Sequence, residues 1–398
     1  MSLKIVPNGW SELSLGDVAR YINGRAFKGT EWSRKGLPII RIQNLNDREK
    51  EFNYFDGECD QKHCVENGDI LISWSASLGV YVWDRGPAVL NQHIFKVLPN
   101  ESLLDRRYYV HAVQTILDEM KSRVHGATMR HIVKGDFQSL KIPVPPLATQ
   151  RRIAEVLGRG ERLQRFRQEA NHLTNKIIQS VFLKMFGDPV QLKGKYRTKK
   201  LKDLALKRKY AISSGPFGSN LGTKDYVQSG GVLVVRGTNV KANEFDPTDC
   251  KYVTREKATE LTRSLAGPRD LVVVAVGASG RACIIPSSIH RCLLSQNCNK
   301  ISLDESVANA EYVCYLINTE YFQSELSRMT TDTVRKFLSM TNLANFEVPL
   351  PPIEQQQRFA GISNDIASLE QRQRQSAQEI DELFHSLMHK AFRGELVA

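Results

Sequence analysis

Two patterns of apolar and polar positions take turns along this chain. The first consists of short apolar, β-branched runs, such as 39–42, 70–73, 232–235 and 271–276, bounded by Gly, Pro, Asn and Asp. Runs of that length between turn residues predict strands. A helical stretch follows at 104–121 and again at 308–328, and each leads into a proline corner: Pro143, Pro145 and Pro146, then Pro349, Pro351 and Pro352. Proline stops a strand and is tolerated in the first turn of a helix, so both corners mark domain edges. Behind each corner the apolar period changes from two to about 3.5. Val156, Leu163, Ala170 and Ile177 recur every seven residues, with Ile153, Phe166, Leu173 and Val181 between them. Ile362, Ile366, Leu369, Gln373, Ser376, Ile380, Leu383 and Leu387 step by three and four. Each stripe predicts a helix of nearly 40 residues, roughly 60 Å long at 1.5 Å per residue.

The two patterns occur twice because the second half of the chain repeats the first. LGDVA at 15–19 returns as LKDLA at 201–205, GLPIIRIQNL at 36–45 as GVLVVRGTNV at 231–240, and GDILISWSASLG at 68–79 as RDLVVVAVGASG at 269–280. LNQHIFKV at 90–97 matches LSQNCNKI at 294–301, ATMRHI at 127–132 matches DTVRKF at 332–337, and IPVPPLATQRRI at 142–153 matches VPLPPIEQQQRF at 348–359. The offset grows from 186 to 206 residues in small steps, as loop insertions produce in two copies of one fold. The period is too long for a solenoid, which leaves a duplicated unit of domain plus helix.

The expected fold class is α+β: two similar mixed domains separated by two long antiparallel coiled-coil helices, with internal pseudo-twofold symmetry. The expected boundaries are 1–146 for the first domain, 147–188 for a central helix, 189–350 for the second domain and 351–398 for a C-terminal helix. An exposed apolar seam would not stay soluble, and the simplest remedy is that the helices bury Val156, Leu163, Ala170 and Ile177 against Ile362, Ile366, Leu369, Ile380, Leu383 and Leu387. Charge agrees with such a pair. Residues 147–186 carry eight Lys/Arg against three Asp/Glu, and 353–390 carry four against six, which favours this pairing over either self-pairing.

At 398 residues the chain suits two or three domains. Its net charge of +12 fits a partner that carries phosphates. No apolar run approaches the roughly 20 residues of a membrane span, and the N-terminus lacks an apolar signal core; the expectation is a cytoplasmic protein away from membranes. The seven cysteines, odd in number and irregularly spaced, suit free thiols in a reducing compartment. Cys59 with Cys64, and Cys292 with Cys298, lack the tight spacing of zinc pairs, so no metal is expected. Nor is a cofactor or a catalytic residue. The Pro-Pro pairs have no preceding Asn or Asp and no following aromatic ring for a flipped base. Gly218–Lys224 misses the spacing of a phosphate loop, and the turn after 271–276 lacks a dinucleotide fingerprint.

Taken over essentially its whole length, the chain resembles the specificity subunits of type I restriction-modification systems. The carrying motifs are the twin corners IPVPPLATQRRI and VPLPPIEQQQRF, the heptad helices behind them, the strands GLPIIRIQNL and GVLVVRGTNV, and SGPFGSNLGTKDY at 213–226, which the first copy reduces to NGRAFKG at 23–29. The resemblance implies two target-recognition domains reading double-stranded DNA. It implies spacer helices that dock DNA adenine methyltransferase (modification) subunits and, beyond them, restriction/translocase subunits. Methylation and cleavage would belong to those partners. The competing reading is a stand-alone two-headed DNA-binding or architectural protein.

Base edges are read mainly by Arg, Asn and Gln, and phosphates are held by Lys and Arg. Loops that follow the repeated strands and carry those types give the candidates. In the first domain they are Arg41, Gln43, Asn44, Trp74, Ser75, Asn91, Gln92, His93, Arg130 and His131. In the second they are Arg236, Thr238, Asn239, Ser279, Arg281, Gln296, Asn297, Arg335 and Lys336. Asn44 and Asn239 suit turn caps equally well, and Trp74 suits a core aromatic. The stretch 193–209, with nine Lys/Arg and one Asp, reads as a phosphate track or as a solvated charged face.

Overall fold

The computed structural model describes residues 7–74, 77–123, 134–277, 279–330 and 337–396. Ser75, Arg130, His131, Arg335 and Lys336 lie outside them. The chain forms two compact units, one of residues 1–169 with 375–398 and the other of residues 170–374. Two helices, Leu147–Phe186 and Ile353–Phe392, each contribute one part to each unit.

In the first unit, the strand Ser11–Ser14 pairs antiparallel with Lys141–Val144, so the chain enters and leaves the domain side by side. Between them an antiparallel sheet runs in the order Ala19–Asn23, Ile94–Pro99, Ile70–Ser73, Gly79–Val82. A second sheet holds Leu37–Ile40 parallel to Ala88–Leu90, flanked by Asn53–Phe55 and Cys64–Val65. The apolar run at 70–72 is continuous because it is covered on both sides. Ile70 and Ile72 face a core with Phe95, Tyr108, Tyr109, Ile153, Leu157 and Phe392, while Leu71 faces a core with Ile40, Trp83 and Leu90, as the twofold alternation of a strand requires.

The second unit repeats this plan. Thr198–Lys200 pairs with Glu347–Pro349. Its antiparallel sheet runs Ile212–Ser214, Cys298–Ile301, Leu271–Val274, Ala282–Ile284, and its other sheet holds Val232–Val235 parallel to Cys292–Leu294. Leu271 and Val273 face one core, Val272 and Val274 the other. The helical stretch at 308–328 is two helices, Ala310–Asn318 and Glu320–Arg328. They break at Thr319, whose backbone is extended (φ −65°, ψ 149°) and whose hydroxyl donates to Leu316 O at 2.7 Å.

Both corners are locked by the same glutamine. Gln150 is fully buried; its oxygen accepts from Asp105 N and its amide donates to Leu103 O and Pro145 O, all at 2.8 Å. Gln356 accepts from Asn309 N at 2.9 Å and donates to Pro351 O at 2.7 Å. Beside them Tyr108 and Tyr312 donate their hydroxyls to Pro143 O and Pro349 O at 2.7 and 3.0 Å. An ion pair is duplicated too: half-buried Lys96 with Asp69 at 2.7 Å and buried Lys300 with Asp270 at 3.2 Å.

The helix seam runs on a different face from the expected one. Within the first unit the two helices pack antiparallel: Gly160 abuts Phe384, Gln164 donates to Asp381 at 2.7 Å, and Arg167 donates to Ser376 at 3.0 Å. Within the second, Gln373 donates to Thr174 at 3.0 Å, and Phe182 and Phe186 enclose Phe359. The inward positions of the first helix are therefore Ile153, Leu157, Gly160, Gln164, Arg167, Thr174, Ile178 and Phe182. Of the residues expected in the seam, Leu163 (51% exposed), Ile177 and Leu383 lie in solvent, and Leu369 is at the margin. Val156, Ala170, Ile362, Ile366, Ile380 and Leu387 are half-buried. The physical reason is that the middle of the seam is polar and hydrogen-bonded, which a search for apolar heptads passes over. Leu163 and Phe166 in the first unit, and Leu173 and Ile177 in the second, are instead exposed.

Candidate nucleic-acid interface

In the first unit, backbone hydrogen bonds gather the candidate loops at one end of the two sheets. Asn91 N donates to Ile40 O (3.2 Å), which brings the Asn91–His93 turn against Arg41. Trp74 N donates to His93 O (3.4 Å), and Gly24 N to Ile94 O (3.1 Å). Arg41, Trp74, Asn91, Gln92 and His93 therefore belong to one cluster, with Gly24 and Arg25 at its edge. Gln92 is exposed, with its amide 3.1 Å from His93 Nε2. Trp74 is half-buried and stacks on Phe95, with ring centroids 5.7 Å apart, so its ring belongs largely to the core edge.

The second unit assembles the same cluster. Ser295 N donates to Val235 O (2.9 Å), bringing Gln296 and Asn297 beside Arg236, and Ala275 N donates to Asn297 O (2.7 Å). Thr238 and Asn297 are exposed; Arg281, Ser279 and Gln296 are half-buried. Arg236 is tied to Asp249 at 2.8 Å, and that contact, with Lys251 beside it, holds the Asp249 carboxyl below its usual range. The Gln296 amide donates to Leu221 O, which fastens the loop 215–222 to this cluster.

Asn44 and Asn239 are corrections to the expected set. Both are buried at 0% and 1% exposure and serve the turn that follows the parallel strand. Asn44 accepts from Arg41 N and donates to Lys50 O and Glu51 O, each at 3.1 Å. Asn239 accepts from Arg236 N at 3.1 Å and donates to Asp246 O and Thr248 O at 3.0 Å. With every polar atom engaged inside the protein, neither can reach a base edge. What these asparagines do is aim the residues beside them: Arg41 and Gln43 in one unit, Arg236 and Thr238 in the other.

Sequence reasoning missed several residues at these ends. Arg25 lies over Phe27 and Phe55 (4.9 and 4.8 Å) and pairs with Glu31. Arg85 stacks on Phe52 and Trp83 (4.8 and 4.7 Å) and donates to Asn44 O. Phe217 is exposed in the second unit, beside Arg263. The reduced copy of SGPFGSNLG at 23–29 was the available pointer to the first and the last.

Among the described residues no group of three His, Cys, Asp or Glu side chains could hold a metal ion, and no helix is long and apolar enough to cross a membrane. All seven cysteines are free thiols.

The family model described as type I restriction modification DNA specificity domain matches the chain twice, over residues 7–181 and 193–380. The chain belongs to this family. Its relatives within the specificity family include the type I restriction enzyme EcoBI specificity subunit of Escherichia coli, 25% identical over 99% of this chain and 87% of the relative. Another is the MjaVIII specificity subunit of Methanocaldococcus jannaschii, 21% identical over 98% of this chain and 94% of the relative. In fold, the chain is similar to the crystal structure of the type I restriction-modification S subunit from M. genitalium, with a TM-score of 0.62 at 15% identity over 98% of both chains. It is also similar to a structure described as the basis of complex assembly and conformational transition of the type I R-M system (TM-score 0.56, 17% identity, 98% of this chain and all of the other). The two matched segments of the specificity family coincide with the two copies of the sequence repeat.

Proposed function

We propose that this chain is the DNA-specificity subunit of a type I restriction-modification complex, its two domains each reading one half of an asymmetric, split target. The observation that carries this reading is duplication of the loop cluster: the same strand ends bring an arginine-bearing turn and a Gln/Asn turn together in both units, with different residues in each. Different side chains at equivalent positions read different half-sites. Domains 1–146 and 189–350 do the reading, and the helices between and after them act as spacers. Methyl transfer to adenine and DNA cleavage belong to the modification and restriction/translocase partners, in the cytoplasm. The exposed residues Leu163 and Phe166 of the first unit supply a docking face for a modification subunit, because apolar side chains clustered on an exposed helix face mark protein contacts.

The test is methylome sequencing of cells that carry the chain with its modification subunit, against cells without it. A new split, asymmetric methylated sequence is expected. Absence of any methylation attributable to the pair refutes the proposal. Leu163→Asp with Phe166→Asp should abolish co-purification of the modification subunit while leaving the fold intact; retained co-purification removes this face from the interface.

A further inference from the structure

We infer that Phe217 is a DNA-contacting residue of the second domain, its ring packing against bases of the second half-site with Arg263 beside it; the inference rests on the DNA-reading function proposed above. Single exposed apolar residues are ordinary on protein surfaces. Phe217 differs because the loop that presents it is rigid on either side. A Cβ at Gly215 would lie 1.8 Å from Ser295 O, so only glycine lets the loop approach so closely. Gly215 N donates to Cys298 O at 2.9 Å, and Ser264 Oγ donates to Ser214 O at 2.9 Å. On the far side Leu221 is buried, its carbonyl accepting from Gln296, and Gly222 N donates to Asp225 at 2.7 Å. Between these anchors Pro216 is buried while Phe217 is 66% exposed. A ring held out by a fixed loop gives contact area at little cost in conformational freedom.

The neighbours specify the partner. Two residues before Phe217 the loop clamps the Ser295–Gln296 backbone, and the Arg263 guanidinium lies 6.0 Å from the Phe217 ring centroid. An aromatic ring beside a cation suits duplex DNA, where apolar side chains pack on base edges in the groove and cations meet phosphates. The equivalent position of the first unit carries no ring. There Gly24 plays the part of Gly215, with a Cβ clash of 2.1 Å against Asn91 O, which places Ala26 opposite Phe217. Its nearby Phe27 is half-buried and packs on Phe55 at 5.1 Å. The Phe217 contact therefore has no counterpart at Ala26.

The experiment uses the complex of this chain with its modification subunits and duplexes carrying the target found by methylome sequencing, followed by fluorescence anisotropy over a range of salt. Phe217→Ala should weaken binding on the order of 10-fold, the loss expected of one aromatic anchor at an interface, with an unchanged salt slope. Phe217→Trp should retain affinity. Arg263→Ala should lower the salt slope by about one. With the second half-site scrambled, Phe217→Ala should cost nothing further; with the first scrambled, its full cost should remain. Binding of Phe217→Ala within twofold of the parent, or a loss that tracks the first half-site, overturns the inference. If the parent complex itself shows no sequence-selective binding, the specificity reading is what fails, and this inference falls with it.

Discussion

Gln150 gives the sharpest test of how the corners are built. Gln150→Ala removes one acceptor and a two-pronged donor on a fully buried side chain, leaving Asp105 N, Leu103 O and Pro145 O without their partner. A typical hydrogen bond contributes about 0.5–1.5 kcal/mol net, and an orphaned buried group costs about 1–3 kcal/mol. Three such groups, partly able to relax, put the loss at about 3–4 kcal/mol. All four tryptophans, Trp10, Trp32, Trp74 and Trp83, lie in the first unit, so intrinsic fluorescence reports this unit selectively. With a urea slope of about 2 kcal/mol per molar, the fluorescence midpoint should fall by roughly 1.5 M. Gln150→Glu keeps the length but cannot donate when ionised and buries a charge, so near neutral pH it should be at least as unstable. Exposed Arg152 is the control, since Arg152→Ala should stay within about 0.5 kcal/mol of the parent. A Gln150→Ala midpoint within about 0.3 M of the parent would refute the account of the corner.

Asn239→Ala should cost about 2–3 kcal/mol by loss of its turn bonds, read by thermal denaturation, while the methylated sequence stays the same; an altered target at parental stability would make Asn239 a base reader after all. Exposed Asn297 behaves oppositely: Asn297→Ala should relax one position of the second half-site by about 1–3 kcal/mol, measured on a panel of single-base variants, and a uniform loss over all duplexes would reassign it to phosphate. His111 sets an acid limit on the first unit. Burial, then the charge of Arg107, lowers its pKa from 6.5 to about 4, with Asp105 opposing and Glu161 facing it at 3.6 Å. Above pH 6.5 the imidazole is neutral folded or unfolded and contributes no slope. Between about 6.5 and 4 the unfolded chain takes a proton that the folded one refuses, so stability falls as pH falls. His111→Phe should flatten that part of the fluorescence-monitored stability profile; an unchanged slope would assign it to carboxylates.

The duplication was legible in the sequence because strands buried on both faces leave uninterrupted runs, such as 70–72 and 271–274, and because proline corners are scarce and specific. The position of the long helices followed from the change of period. Their contact face did not. Gln164, Arg167, Thr174 and Gln373 lie inside because they bond to one another or to partners across the pair, and hydrophobicity carries no record of that pairing. The candidate loops were located through the strands that precede them, yet residue type alone could not separate Asn44 and Asn239, which point inward, from Gln92 and Asn297, which point out. Phe217 escaped notice because phenylalanine suggests a core, and only the two anchored sides of its loop keep it outside.

The short ribbons that close each domain, Ser11–Ser14 on Lys141–Val144 and Thr198–Lys200 on Glu347–Pro349, make each recognition domain a detour that returns to its starting point. Whatever length lies within the detour, the chain re-emerges in register at the clasp and enters the helix from the same spot. Loops inside can lengthen, shorten or change residue identity without displacing the first turn of the helix that follows. This arrangement leaves the loops of each domain free to vary while the start of each helix stays fixed.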